Sequence, residues 1–71
     1  MHKNMKIEIN EQQLLDEVVM ELERLGYKKD NHKSCDVCKF VYSYRDGFYI
    51  KWNTDIDKGH PLTTLAELKE M

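Results

Sequence analysis

The sequence predicts a small α+β fold: an antiparallel sheet covered on one face by a helix over 11–25, with a short C-terminal helix over 64–71. Three observations carry this. Phe40–Trp52, FVYSYRDGFYIKW, reads as a β-hairpin holding most of the aromatic mass. Leu14, Leu15, Val18, Val19, Leu22 and Leu25 fall within about 140° of a helical wheel, a wide core-facing stripe. Thr64-x-x-Glu67 is a capping-box pattern opening a final helix. The hairpin occupies about 38–53, and short strands near 5–9 and 27–30 are candidates to extend the sheet. At 71 residues the chain makes one domain, 1–71, with room for one thin core.

In chain order, Met1–Asn4 reads as loose. Met5-Lys6-Ile7-Glu8-Ile9 alternates apolar with charged residues, the period-2 pattern of a half-buried strand. Its brevity leaves two readings, a strand of the same sheet or an arm laid along a partner. Asn10 suits an N-cap with Gln13 at the capping-box position, and Glu11 favours the positive end of the helix. The helix is then about 22 Å long at about 1.5 Å per residue, enough to cover the hairpin end to end. Gly26 ends it in the left-handed conformation, with Tyr27 folding back on the last turn. Tyr27-Lys28-Lys29 suits an edge strand, because lysines on an edge discourage intermolecular pairing. Asn31–Ser34 and Asn53–Pro61 read as loops, and Leu62, Leu65 and Leu68 seal one edge of the core.

The turn sets the hairpin register. A two-residue Asp46-Gly47 loop would leave both faces half apolar. A three-residue loop Arg45-Asp46-Gly47, with Gly47 left-handed as a bulge, pairs Tyr44 with Phe48 instead. Phe40, Tyr42, Tyr44, Phe48, Ile50 and Trp52 then share one face; Lys39, Val41, Ser43, Tyr49 and Lys51 share the other. Clean segregation favours the bulged register. The aromatic face is expected to seat the helix, which leaves Tyr49 and Lys51 pointing outward.

The net charge of −2 hides a segregation. Residues 27–53 carry six basic and three acidic side chains, whereas 1–26 carry three basic and six acidic. A basic sheet between acidic flanks is most simply an ordinary surface whose parts neutralise one another. No stretch is apolar enough to span a membrane and no leader resembles a signal peptide, so a cytoplasmic protein with no membrane partner is the expectation.

Cys35-Asp36-Val37-Cys38 with His32 before it and His60 in the loop after the hairpin is the one group with metal-ligand spacing. Two thiolates two residues apart can bite one zinc ion, and two imidazoles can close a tetrahedron. A single C-x-x-C is weak, and two reduced thiols at a strand start are the simpler reading. Redox chemistry would need the pair at a helix N-terminus, and the residues after Cys38 are β-patterned. No nucleophile, base and orienting group share a local signature, and no phosphate loop is present. No enzymatic activity and no cofactor are expected, zinc being the exception to test.

A helix ending Leu25-Gly26-Tyr27, then strands with a hairpin, then Leu62-Thr63-Thr64-Leu65 opening a last helix resembles the α-β-β-β-α plan of double-stranded-RNA-binding domains. It also resembles HicA-type toxin ribonucleases, which place a histidine in the strand region between the helices; His32 is the only position that could stand in for it. This implies RNA binding with a possible ribonuclease activity. Set against it, a small acidic single domain with charged helices resembles accessory proteins of phages and mobile elements, which implies a non-enzymatic module that binds a host protein or pairs with itself as a homodimer. Its contact residues would be Glu17 and Glu21 on the helix, or Tyr49 and Lys51 on the hairpin. The zinc alternative predicts a metal ion retained in native mass spectrometry of protein purified without chelator; a metal-free mass with both thiols titratable would remove it.

Overall fold

The computed structural model describes residues 2–34, 38–54 and 58–71, the side chains of 31–34 excepted. In chain order the elements are β1 (Met5–Glu8), α1 (Leu15–Arg24), β2 (Lys28–Ser34), β3 (Phe40–Ser43), β4 (Phe48–Trp52) and α2 (Leu65–Lys69). The fold is α+β, a four-stranded sheet in the order β1-β3-β4-β2. It is mixed rather than purely antiparallel, since β2 skips β3 and runs parallel to β4.

The hairpin adopts the bulged register. Gly47 is left-handed at φ +94°. Its N–H donates to the Tyr44 carbonyl at 2.9 Å, and the Tyr44 N–H donates to the Phe48 carbonyl at 2.9 Å. Ser43 then lies opposite Tyr49, Tyr42 opposite Ile50, Val41 opposite Lys51 and Phe40 opposite Trp52.

β1 belongs to this sheet and is not an arm. It pairs antiparallel with β3, placing Met5 opposite Ser43 and Ile7 opposite Val41. Residues directly opposite in such a pair share a face. Met5 and Ile7 are therefore buried together with Val41 and Tyr49, and Val18, Leu22, Leu65 and Leu68 of the two helices close over them. This reverses the expected orientation. The helices cover the Val41, Ser43 and Tyr49 face, and the aromatic side points away from them. The bulged turn sorts the hairpin side chains into two sets; the apolar side of β1 chooses which set is core.

The helix is shorter than the 11–25 span. Asn10 Oδ1 accepts from the N–H groups of Gln12 and Gln13 at 2.9 and 3.0 Å, and the Asn10 and Gln13 backbones bond to each other. These bonds close a separate turn, and the helix opens after it at Leu14 with no side-chain cap. Gln13 is used elsewhere. Its amide donates to the Glu8 carbonyl at 2.7 Å and its Oε1 accepts from the Leu65 N–H at 2.8 Å, joining the end of β1 to the start of α2. At the other end Gly26 is left-handed at φ +95°. The Tyr27 N–H reaches the Leu22 carbonyl and the Gly26 N–H the Glu23 carbonyl, both at 3.0 Å, which is a Schellman motif.

The Thr64–Glu67 capping box forms in both directions. Arg24 then closes the far end of α2, its Nη2 donating to the Leu68 carbonyl at 3.0 Å while Nε holds Glu21 at 2.7 Å. A cation at a helix C-terminus also complements the dipole. Pro61–Thr63 flanks β1, with the Lys6 N–H bonded to the Pro61 carbonyl and the Thr63 N–H to the Lys6 carbonyl. The segment expected to be loose is seated from His2 onward. Tyr27 Oη accepts from the Lys3 N–H at 2.9 Å, Ser43 Oγ donates to the Lys3 carbonyl at 2.9 Å, and the His2 ring meets Tyr27 edge-on at 4.6 Å.

Leu22 is fully buried while Met20, on the outer side of the same helix, is 60 % exposed. Leu22→Ala should cost about 2–5 kcal/mol and Met20→Ala less than about 0.5 kcal/mol. A domain of this size holds only about 3–5 kcal/mol in total. Urea titration followed by circular dichroism should therefore place the Leu22 variant's midpoint far below that of the wild type, and the Met20 variant's close to it.

Candidate functional site

The helix-free face of the hairpin carries three cross-strand pairs, Phe40 with Trp52, Tyr42 with Ile50, and Tyr44 with Phe48. Part of it is roofed by the chain that follows β4. Tyr42 Oη donates to the Thr54 carbonyl at 3.2 Å. The His60 ring stands edge-on to Tyr44 at 4.9 Å and to Tyr42 at 5.7 Å. Under this cover Tyr42 and Ile50 are buried. The turn end is not covered to the same degree: Phe48 is 40 % exposed. Beside it opens a pocket of about 190 Å³ bounded by Asp30, Tyr44, Asp46, Phe48 and Ile50.

Each wall of that pocket has a structural cause. The bulged turn brings Tyr44 opposite Phe48 and aims Asp46 back at the strand, where its Oδ1 accepts from the Phe48 N–H at 3.1 Å. Asp30 arrives through the parallel pairing, in which Lys28 lies opposite Phe48 and Lys29 opposite Tyr49. Asp30 is therefore two positions beyond Lys28 on the same side of β2. The lining is thus two aromatic side chains, two acidic ones and the buried Ile50.

A second cleft, of about 330 Å³, lies between α1 and the β4–β2 side of the sheet, with Val19 and Met20 on the helix wall and Lys29 and Lys51 on the sheet wall. Lys51, expected on an outer surface, is half-buried here. Tyr49, also expected to point outward, faces the core. It is 2 % exposed, because its face is the one β1 and the helices bury, and its Oη donates to Glu23 Oε2 at 2.9 Å. Burial, together with the neighbouring Glu23 carboxylate, pushes the Tyr49 phenol up from 10.0 to about 12.

The two helix carboxylates differ. Glu21 is bound to Arg24 and belongs to the contact between the helices, while Glu17 is half-buried without reaching the aromatic pocket. Of the metal set, Cys35 and the side chain of His32 lie outside the described residues. Cys38 donates its S–H to the Phe40 carbonyl at 3.3 Å and packs against the cluster beneath the helices. His60 stands edge-on to Tyr42 and Tyr44 on the opposite face, so these two are not brought together. Among the described residues no three His, Cys, Asp or Glu side chains stand close enough to hold a metal, and no helix is long and apolar enough to cross a membrane.

Phe48, Asp30 and Asp46 were not singled out by the sequence. Asp46 and Phe48 had a legible signal, an acidic turn residue beside an aromatic at the strand start. Asp30 had none, because its place depends on β2 skipping a strand.

The Tyr49 shift has a pH signature. The folded state holds the phenolic proton more tightly than the unfolded chain, so this contribution to stability is complete below pH 10 and fades as pH rises toward about 12. Tyr49→Phe removes it. In paired alkaline titrations of stability, the wild-type advantage over Tyr49→Phe should shrink across that window, and a constant difference would contradict the assignment.

Compared with protein-family models, curated proteins and solved structures, the chain has no significant match.

Proposed function

We propose that this chain is a non-enzymatic, cytoplasmic protein-interaction module that binds another protein through the turn end of the helix-free sheet face. The observation that supports this is the setting of Phe48. A lone exposed hydrophobic residue is ordinary on a protein surface. Here the exposed ring adjoins a half-buried Tyr44 and a pocket, all on hydrogen-bonded strands whose register is held by a bulge. Aromatic anchors beside pockets on rigid elements are where binding energy concentrates in protein interfaces.

RNA binding is the second reading, and the same reversal of faces favours it. With the aromatics turned away from the helices, they are on the side where bases could stack. The carboxylates of Asp30 and Asp46 weigh against it, since both flank the open pocket and would repel a phosphate backbone. The strand order also departs from three strands paired in sequence, because β2 joins β4. The small size and charged helices of the chain support a host-directed role like that of phage accessory proteins.

Affinity capture from the native host, read by mass spectrometry and RNA sequencing together, separates the readings. A specific protein should be recovered with the wild type and lost with Phe48→Ser, while Glu17→Lys with Glu21→Lys leaves capture in place. Recovery of RNA that weakens with salt and with loss of Lys28 and Lys29 would instead support the second reading. Self-association lost in Phe48→Ser would make the partner another copy of the chain.

A further inference from the structure

We propose that the space over Gly26 and Gly47 is a slot for a small planar ring, filled here by the imidazole of His2, and that residues 2–4 are the latch that opens and closes it. This holds whether or not a partner binds at Phe48. Both glycines are left-handed, at φ +95° and +94°, which already favours glycine at each. The ring supplies a second reason. A Cβ on Gly26 would lie 3.2 Å from His2 Nε2, and one on Gly47 would lie 3.2 Å from Nδ1. One imidazole thus spans the end of α1 and the turn of the hairpin. Tyr27 closes a further side, its ring edge-on to His2 at 4.6 Å. Gly47 is buried although it belongs to a tight turn.

Polar contacts, not core packing, tie the latch down. The Lys3 N–H donates to Tyr27 Oη at 2.9 Å, and that hydroxyl donates back to the Lys3 carbonyl at 3.2 Å. Ser43 Oγ donates to the same carbonyl at 2.9 Å, and Asn4 Oδ1 accepts from the Arg45 N–H at 3.0 Å. The apolar cluster begins only at Met5, where β1 starts to pair with β3. Residues 2–4 can therefore lift without unpairing β1, a local opening that costs less than unfolding. Room for the movement exists, since His2 and Lys3 border a cavity of about 420 Å³ with Leu25, Tyr27 and Met71. Once vacated, the slot presents two turns without side chains and an aromatic neighbour, which suits a heteroaromatic ring of imidazole size. The Lys28 N–H bonds the Gly47 carbonyl at 2.8 Å, so opening slackens the start of β2 together with the turn and the end of α1.

The test uses His2→Ala in the full chain, with free imidazole as the probe. The amides of Gly26, Tyr27, Gly47 and Phe48 are all hydrogen-bonded, so their hydrogen exchange reports the seam directly. Exchange followed by NMR should accelerate by about tenfold at these four positions in the variant. Val41 and Ile50, inside the sheet, should keep their wild-type protection. Imidazole should then give saturable amide shifts at Gly26, Tyr27 and Gly47 of the variant and slow their exchange again. The wild type, its slot filled, should show neither effect. Unchanged exchange along the seam in the variant would overturn the latch. Protection lost evenly across the sheet would do the same, since His2 would then be general support and not a local tie. Absence of imidazole shifts in the variant, or equal shifts in the wild type, would overturn the ring slot.

Discussion

The pairing of β1 with β3 is the constraint on which the rest of the molecule depends. It sets Met5 beside Ser43 and Ile7 beside Val41, and so gives the sheet one face that must be covered. The hairpin alone did not decide this. Its bulged turn separates two sets of side chains, and the aromatic set is the larger and more hydrophobic in bulk. Four residues of β1 outweigh it because their apolar side chains and their charged ones fall on opposite faces, and only one orientation buries Met5 and Ile7 while leaving Lys6 and Glu8 outward. Once that face is chosen, α1 and α2 must lie on it, and Tyr49 is taken out of solvent.

The thin core is reinforced by a small number of polar side chains placed where elements end. Gln13 joins the end of β1 to the start of α2, Arg24 joins α1 to the end of α2, and Tyr49 joins β4 to Glu23 of α1. Each satisfies backbone or buried polar groups that would otherwise lose water without compensation. His2 acts on the same scale. Cβ atoms at Gly26 and Gly47 would lie only 3.2 Å from its ring, so the two left-handed glycines that end α1 and the hairpin turn also make room for the N-terminal segment.

Putting both helices on one side leaves the opposite face of the hairpin without a helix over it. The chain covers part of it with His60 and the backbone near Thr54, and stops short of Phe48. On that face Tyr42 and Ile50 in the middle are buried, Phe40 and Trp52 at the base are half-buried, and Phe48 at the turn is exposed.

Local features were legible from the residues alone: the bulged turn at Gly47, the glycine stop at Gly26, the Thr64–Glu67 box and the alternation of Met5–Ile9 each depend on neighbours a few positions away. Asn10 and Gln13 show the limit of such reasoning. Their spacing matches a helix cap, but a turn and a long-range bond to Leu65 compete for the same groups and prevail. Asn31–Ser34, polar enough to read as loop, became strand because β4 offered an edge to pair with. The sequence by itself determined which side chains travel together, since alternation, wheel angle and turn length are properties of adjacent residues. Only the tertiary structure decided which of two faces is core, that β2 passes over β3 to run parallel with β4, and hence that Asp30 stands beside Phe48, because those outcomes depend on pairings between strands far apart in the chain.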